Sequence, residues 1–298
     1  MKLNRLCIKD RLLFQRYLGL KAHELSVYAF EDIYIWRSLF DIQWALVNKS
    51  LCIFFRDNIG AFLYLSPLSL KHDPAALQEA FHILDGVNKN ADISRIENAE
   101  EGELGFYRRE GFDCRLKSHD YLCSRADLAA LSGNRFKSKR ASSNYFVKNY
   151  RHEYFDFSLK HKDACCELFD AWALERRSKS QDDVYSWCLS DTRMALEELL
   201  GAYKKLKVLG RLVAVDKKIK AFTFGYELNK DTFCILYEVA DLSVKGIAQF
   251  VFAEFCRELK KYRYINVMDD SGLANLKAVK LSYKPARLVP AYIVKRHA

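Results

Sequence analysis

The stretch that most constrains this chain is 232–283. Residues 232–239 (TFCILYEV) form a continuous β-branched and aromatic run, the pattern of a strand covered on both faces. Ala240-Asp241-Leu242-Ser243 ends the run as a turn carrying helix-capping side chains. Residues 244–261 then place Ile247, Phe250, Val251, Phe255 and Leu259 at the spacing of one helical face. A second strand is expected at 264–268, followed by Asp269-Asp270-Ser271-Gly272, a short helix from Leu273 and a last strand at 288–294. Strand, helix, strand, helix, strand in so short a length requires helices laid on a sheet. Gly246, at the start of the first helix, either lets backbone N–H groups approach an anion or marks an ordinary helix start.

The 298 residues suffice for two domains of ordinary size, and 50% hydrophobic content with 20 Phe and 17 Tyr excludes a disordered chain. No Gly/Ser-rich or Pro-rich stretch separates such domains, so they are expected to be closely joined. The 9 cysteines are scattered with no C-x-x-C spacing, which argues against a disulfide framework or zinc knuckle and for a reducing cytoplasm. No H-x-x-x-H pair occurs, and no metal site is expected. The first 23 residues interrupt their apolar positions with charges, as an amphipathic helix does and a signal peptide does not. No uncharged apolar run approaches the roughly 20 residues of a membrane span. Charge is the sharper number: residues 1–130 hold 17 Lys/Arg against 18 Asp/Glu, whereas 131–298 hold 31 against 20. A basic second half points to an anionic partner such as RNA, a nucleotide-bearing donor or an anionic membrane surface touched peripherally.

In order, helices are expected at 10–18 and 26–39, then strands at 43–47, 51–55 and 59–65 in antiparallel hairpins broken at Asn48-Lys49 and Asp57-Asn58. A helix at 74–88 is capped by Asp73 with Pro74 in its first turn. A strand near 93–97, a helix over 100–110 and a strand around 121–124 complete a first unit. Residues 135–151 (RFKSKRASSNYFVKNYR) fit a helix with Lys137, Arg140, Asn144, Lys148 and Arg151 on one stripe and Phe136, Val147 and Tyr150 beside it. Such a stripe is either a solvated helix face or a phosphate track. The second unit is expected to run as strand 152–159, helix 163–179, a polar loop at 178–183, helix 192–200, and a hairpin of 206–215 with 220–226 around Asp216-Lys217-Lys218.

Particular residues carry a resemblance. Glu238-Val239-Ala240-Asp241, Lys245-Gly246, Phe255, Asn266, Asp270, Gly272, Leu276-Lys277-Ala278-Val279-Lys280-Leu281-Ser282-Tyr283 and Pro285 resemble the tail of one family. Tyr121, Arg125-Ala126-Asp127-Leu128, Leu131, Gly133, Lys139-Arg140 and Phe146 resemble its central signature, and Phe30, Ile33-Tyr34-Ile35-Trp36-Arg37 its N-terminal helix. The family is that of the phosphatidylglycerol lysyltransferase C-terminal domain, soluble tandem-GNAT relatives of lipid aminoacylating enzymes and Fem peptidoglycan aminoacyltransferases. The chain departs from the pattern at Val239, Val267, Met268 and Ala141, where the family carries Lys, Arg, Glu and Asn. The resemblance implies an α/β (α+β) fold of tandem GNAT-like domains with mixed, largely antiparallel sheets. The expected division is 1–130, a basic connecting helix at 131–151, and 152–298.

Acyl transfer needs a donor pocket, help in removing the acceptor's proton, and stabilisation of the carbonyl oxygen as it becomes negative. No Ser/His/Asp or Cys/His set stands out, so direct attack is the simpler course. Glu238, Asp241 and Asp270 fall at strand ends, with Lys280 and Tyr283 on the turn after the last helix; together they are the candidate catalytic residues. Taken singly, Asp270 could equally cap a helix and Lys280 could be a surface charge. The candidate donor-binding set is Lys137, Lys139, Arg140, Asn144, Lys148, Arg151, Lys245 and Gly246. Val244-Lys245-Gly246-Ile247-Ala248 retains only a fragment of the loop that binds acetyl-CoA in this superfamily. Aminoacyl-tRNA is therefore the expected donor, acting on an unidentified amine or hydroxyl acceptor. The alternatives are a non-catalytic RNA or polyanion binder and a CoA-dependent N-acyltransferase using acyl-CoA.

Overall fold

The computed structural model describes residues 3–178 and 183–297. Its elements run β1 (Asn4–Arg5), α1 (Arg11–Leu18), α2 (Phe30–Ile35), β2 (Asp41–Val47), β3 (Ser50–Arg56), β4 (Ala61–Leu65), α3 (Pro74–Asp85), β5 (Arg95–Glu100), α4 (Leu104–Arg109) and β6 (Phe112–Ser124). They continue with α5 (Arg125–Ala130), α6 (Lys137–Asn149), β7 (His152–Asp156), α7 (Lys162–Ser178), α8 (Asp183–Ala202), β8 (Val208–Val215), β9 (Lys218–Asn229) and β10 (Thr232–Ala240). The chain ends with α9 (Ile247–Glu258), β11 (Tyr264–Asn266), α10 (Ala274–Ser282) and β12 (Arg287–Arg296).

Two compact units result, Met1–Asp120 with Val289–Ala298, and Tyr121–Leu288. This division differs from the expected boundary at 130/131. The last strand belongs with the first unit because β12 pairs antiparallel with β5, Ala291 facing Glu100 and Val294 facing Ile96. In the first unit the strands lie in the order β1-β2-β3-β4-β5-β12, antiparallel except for β4 with β5. Local chemistry fixes its hairpins. Asn48 and Lys49 adopt φ of 47° and 65°, the left-handed pair that a two-residue hairpin turn requires. Asp73 accepts from Ala75 N at 2.9 Å and caps α3, whose Leu77, Ala80, Phe81 and Leu84 are buried on the sheet; such a cap contributes about 1 kcal/mol.

In the second unit the order is the end of β6, then β11-β10-β9-β8-β7, with only β10 and β11 parallel. Helix α9 organises it. Ile247, Phe250, Val251, Phe252, Ala253, Phe255 and Cys256 are all buried, so the helix is apolar on nearly every side. It lies between the sheet and helices α5 and α6, which is the situation that permits such a composition. Phe146 of α6 packs on Phe250 with ring centroids 4.7 Å apart.

Several expected boundaries move. The helix expected at 26–39 is cut to α2 and a short 3-10 turn, and β6 begins nine residues before its expected start at 121. The helix expected at 192–200 begins at Asp183, while most of the polar loop expected at 178–183 lies outside the described residues. On α6 the inner face is Ser143 and Phe146 rather than the expected Val147, which is 51% exposed. Adjacent helical residues point about 100° apart, so burying Phe146 turns Val147 outward. Among the described residues no helix is long and apolar enough to cross a membrane.

Candidate functional site

One polar grouping in the second unit forms where α6, β10 and the C-terminal end of α10 meet. Strand β10 carries Glu238 near its C-terminal end, where the buried apolar run Thr232–Ile235 has already fixed the strand in the sheet. Burial pushes the Glu238 carboxyl up to about 8, and the nearby Lys139 ammonium offsets part of that. Lys139 projects from the first turn of α6. Its Nζ donates to Ser282 Oγ at 2.8 Å and lies 3.7 Å from the Tyr283 ring centroid. Burial lowers the Lys139 pKa, Glu238 raises it, and Lys284 lowers it. Tyr283 is buried against Phe252, with centroids 4.5 Å apart. Burial holds its phenol well above the usual range, with the charge of Glu238 adding to the effect. Cys256 and Cys123 complete the surroundings as protonated thiols, Cys123 pushed up to about 12 by burial. A carboxyl poised near neutrality, an ammonium and a neutral phenol therefore lie close enough to act on one another's charge.

The remaining expected catalytic residues sit in two other arrangements. Asp270 accepts a hydrogen bond from Tyr121 OH through Oδ2 and from Gly272 N through Oδ1 at 3.0 Å. Burial together with Asp270 pushes the Tyr121 phenol up to about 12, so it stays a donor. Lys280 Nζ donates to the carbonyls of Val267, at 2.6 Å, and Asp269. These contacts hold the turn after β11, where Met268 and Ser271 have φ of 61° and 50°. This turn adjoins the first grouping through Cys123, whose thiol feels the Lys280 charge. Asp241 is paired with Lys220 at 2.6 Å and accepts from Ser243 N at 3.0 Å. Its carboxyl falls below the usual range because these bonds outweigh its partial burial. Glu238 and Tyr283 thus come together, Asp270 and Lys280 form a turn clamp, and Asp241 secures the loop after β10.

The expected donor-binding residues also divide. Lys137, Asn144 and Lys148 are exposed along α6, and Arg151 is exposed just beyond its end, so the helical stripe stops at Lys148. Arg140 instead donates to the carbonyls of Leu131 and, at 3.1 Å, Gly133, stitching a turn in which Leu131 has φ of 49°. Gly246 has φ of 86°, and a Cβ there would overlap the carbonyl oxygen of Ser142 on α6. The glycine serves close helix packing, and the oxygen beside it is the wrong end of a dipole for an anion.

Sequence reasoning placed Lys139 in the donor-binding set and missed it as the neighbour of Glu238. The helix pattern held one signal: Lys139 does not fit the three-and-four spacing of the basic stripe, so it had to face elsewhere. Cys123 and Cys256 gave no signal, being ordinary apolar positions of a strand and a helix.

The family model described as phosphatidylglycerol lysyltransferase, C-terminal, matches residues 20–295. No curated protein sequence matches the chain. Among solved structures, a conserved protein of unknown function from Bacteroides thetaiotaomicron is 25% identical with a TM-score of 0.89, each chain being covered over 100% of its length. L-PGS from Bacillus licheniformis is 14% identical with a TM-score of 0.68, covering 97% of this chain and 92% of its own. FemX is 10% identical with a TM-score of 0.64, covering 100% and 98%. At those identities the last two share the fold, which is a GNAT-like acyltransferase fold. With the match extending over nearly the whole sequence, the chain belongs to the family of the phosphatidylglycerol lysyltransferase C-terminal domain.

Proposed function

We propose that the chain transfers an aminoacyl group from aminoacyl-tRNA to an amine or hydroxyl acceptor by direct attack. The observation that carries this reading is the Glu238–Lys139–Tyr283 grouping, a carboxyl near neutrality beside a cation and a neutral hydroxyl. In its ionised form Glu238 takes the proton of the attacking amine or hydroxyl as the new bond to the ester carbonyl forms. The Lys139 ammonium faces the oxygen that becomes negative in the tetrahedral intermediate. Collapse breaks the ester bond and releases the ribose hydroxyl of the tRNA, which recovers a proton from protonated Glu238. Asp270 and Lys280 hold the adjoining turn, and Asp241 the loop beside it.

Two features favour a tRNA donor over acyl-CoA. The exposed Lys137, Lys148 and Arg151 offer a phosphate track, and the start of α9, where a pyrophosphate would be expected, faces the Ser142 carbonyl. The reading sets the protein in the cytoplasm, where charged tRNA is supplied, with peripheral contact to an anionic membrane as a further use of its basic half.

The test is single-turnover assay with radiolabelled aminoacyl-tRNA, a panel of amine and hydroxyl acceptors, and acyl-CoA as the rival donor. Acceptor-dependent loss of the ester is expected, and Glu238→Gln should slow it by about 10²–10⁴. Binding of charged tRNA with no transfer to any acceptor would instead make the chain a polyanion binder. Consumption of acyl-CoA in place of aminoacyl-tRNA would overturn the donor assignment.

A further inference from the structure

No acidic residue occurs between Asp127 and Glu153; in that interval Lys137, Lys148 and Arg151 are exposed, whereas Arg135 is paired with Asp127 and Lys139 and Arg140 are turned to Ser282 and to the Leu131 and Gly133 carbonyls. In the midst of this interval Tyr145 is 40% exposed on the outer face of α6. Lys245, from the loop between β10 and α9, places Nζ 4.6 Å from the Tyr145 ring centroid. The approach is made possible by Gly246: its missing Cβ lets the loop close on the Ser142 carbonyl, and so sets Lys245 against the ring one turn further along α6. Val147 and Leu242, from the same two elements, are 51% and 41% exposed, so apolar surface accompanies the charge. The nearby carboxylate of Asp241 is neutralised by Lys220 and does not oppose an anion here.

A plain phosphate track needs cations but no exposed ring. An aromatic side chain with a cation against it, set among exposed basic residues, is the arrangement that holds a nucleobase by stacking while its phosphates meet the charges. We infer that Tyr145 with Lys245 is a stacking platform for a base of single-stranded RNA. The inference rests on the tRNA-donor reading for its biological ligand, and gives that donor a second point of attachment. Tyr145 lies six residues from Lys139 on the same helix, about 9 Å along its axis and roughly 120° around it. A base stacked there belongs to the unpaired 3′ end of the tRNA, which can pass round the helix toward the ester as a duplex cannot. An anionic membrane would use the same charges without needing the ring.

The experiment measures binding of the full chain to four ligands: intact tRNA, tRNA trimmed of its single-stranded 3′ end, a short single-stranded RNA and polyphosphate. Tyr145→Ala is expected to weaken binding of the single-stranded RNA and intact tRNA about tenfold, since a stacked base contributes roughly 1–3 kcal/mol. Trimmed tRNA and polyphosphate should bind Tyr145→Ala as they bind the wild type, and Tyr145→Phe should behave as wild type with all four. Lys148→Ala should instead reduce the salt slope by about 0.7 on every single-stranded ligand. Equal affinity of Tyr145→Ala and wild type for the single-stranded RNA would overturn the platform. So would equal weakening on all four ligands, including polyphosphate. Wild type that binds single-stranded RNA through Tyr145 but not tRNA would keep the platform and remove the donor reading. Loss of transfer with Tyr145-dependent tRNA binding intact would remove the chemistry alone.

Discussion

Replacing Glu238 by Gln should make the protein more stable at alkaline pH while removing transfer. The folded state holds the Glu238 proton up to about pH 8, whereas an unfolded chain loses it near 4.5. The group's stability contribution is therefore fully present below pH 4.5 and is lost as pH rises through about 8, because the unfolded state ionises first. Each tenfold change in proton affinity between the two states corresponds to about 1.4 kcal/mol, and the residue keeps a small opening to solvent that shares the cost. A penalty of about 2–4 kcal/mol above pH 8 follows. Gln preserves the shape and cannot ionise, so urea unfolding at pH 5 and pH 8.5 should show wild type losing stability between the two pH values by that amount more than Glu238→Gln. Lys139→Met removes the cation that lowers the Glu238 pKa and should move the sensitive window to higher pH. Parallel pH–stability curves for wild type and Glu238→Gln would show that burial does not perturb this carboxyl, and the assignment of Glu238 as base would lose its support.

Gly246→Ala should cost about 2–4 kcal/mol, combining a left-handed backbone with overlap against Ser142, and a chemical melt reads this directly. Lys280→Ala removes charge-assisted bonds to the Val267 and Asp269 carbonyls and should lower stability by roughly 1.5–3 kcal/mol; hydrogen exchange should quicken at 267–273 and not elsewhere. Lys137→Ala and Lys148→Ala should each flatten the salt dependence of tRNA binding by about 0.7–0.9 with unchanged stability. Arg140→Ala should chiefly lower the melting temperature, because its guanidinium is spent on the Leu131 and Gly133 carbonyls.

The sequence by itself determined the local architecture. The buried run at 232–239, the helical spacing of Ile247, Phe250, Val251 and Phe255, the Asp73 cap and the Asn48-Lys49 turn each depend on residues a few positions apart. Family membership was legible for the same reason, since motif residues such as Glu238, Asn266, Asp270 and Tyr283 stand at readable spacings. Which of them meet was decided only by the tertiary structure. Lys139 reaches Tyr283 across 144 positions of sequence, and β12 joins β5 across nearly 200; no local pattern encodes such pairings. The same closure spent Lys280, Arg140 and Gly246 on carbonyls and close packing, because a folded chain must satisfy its buried backbone before any side chain is left for a ligand. Glu238 reads as one carboxylate among many in the sequence, and only burial beside a single cation sets its pKa near neutrality.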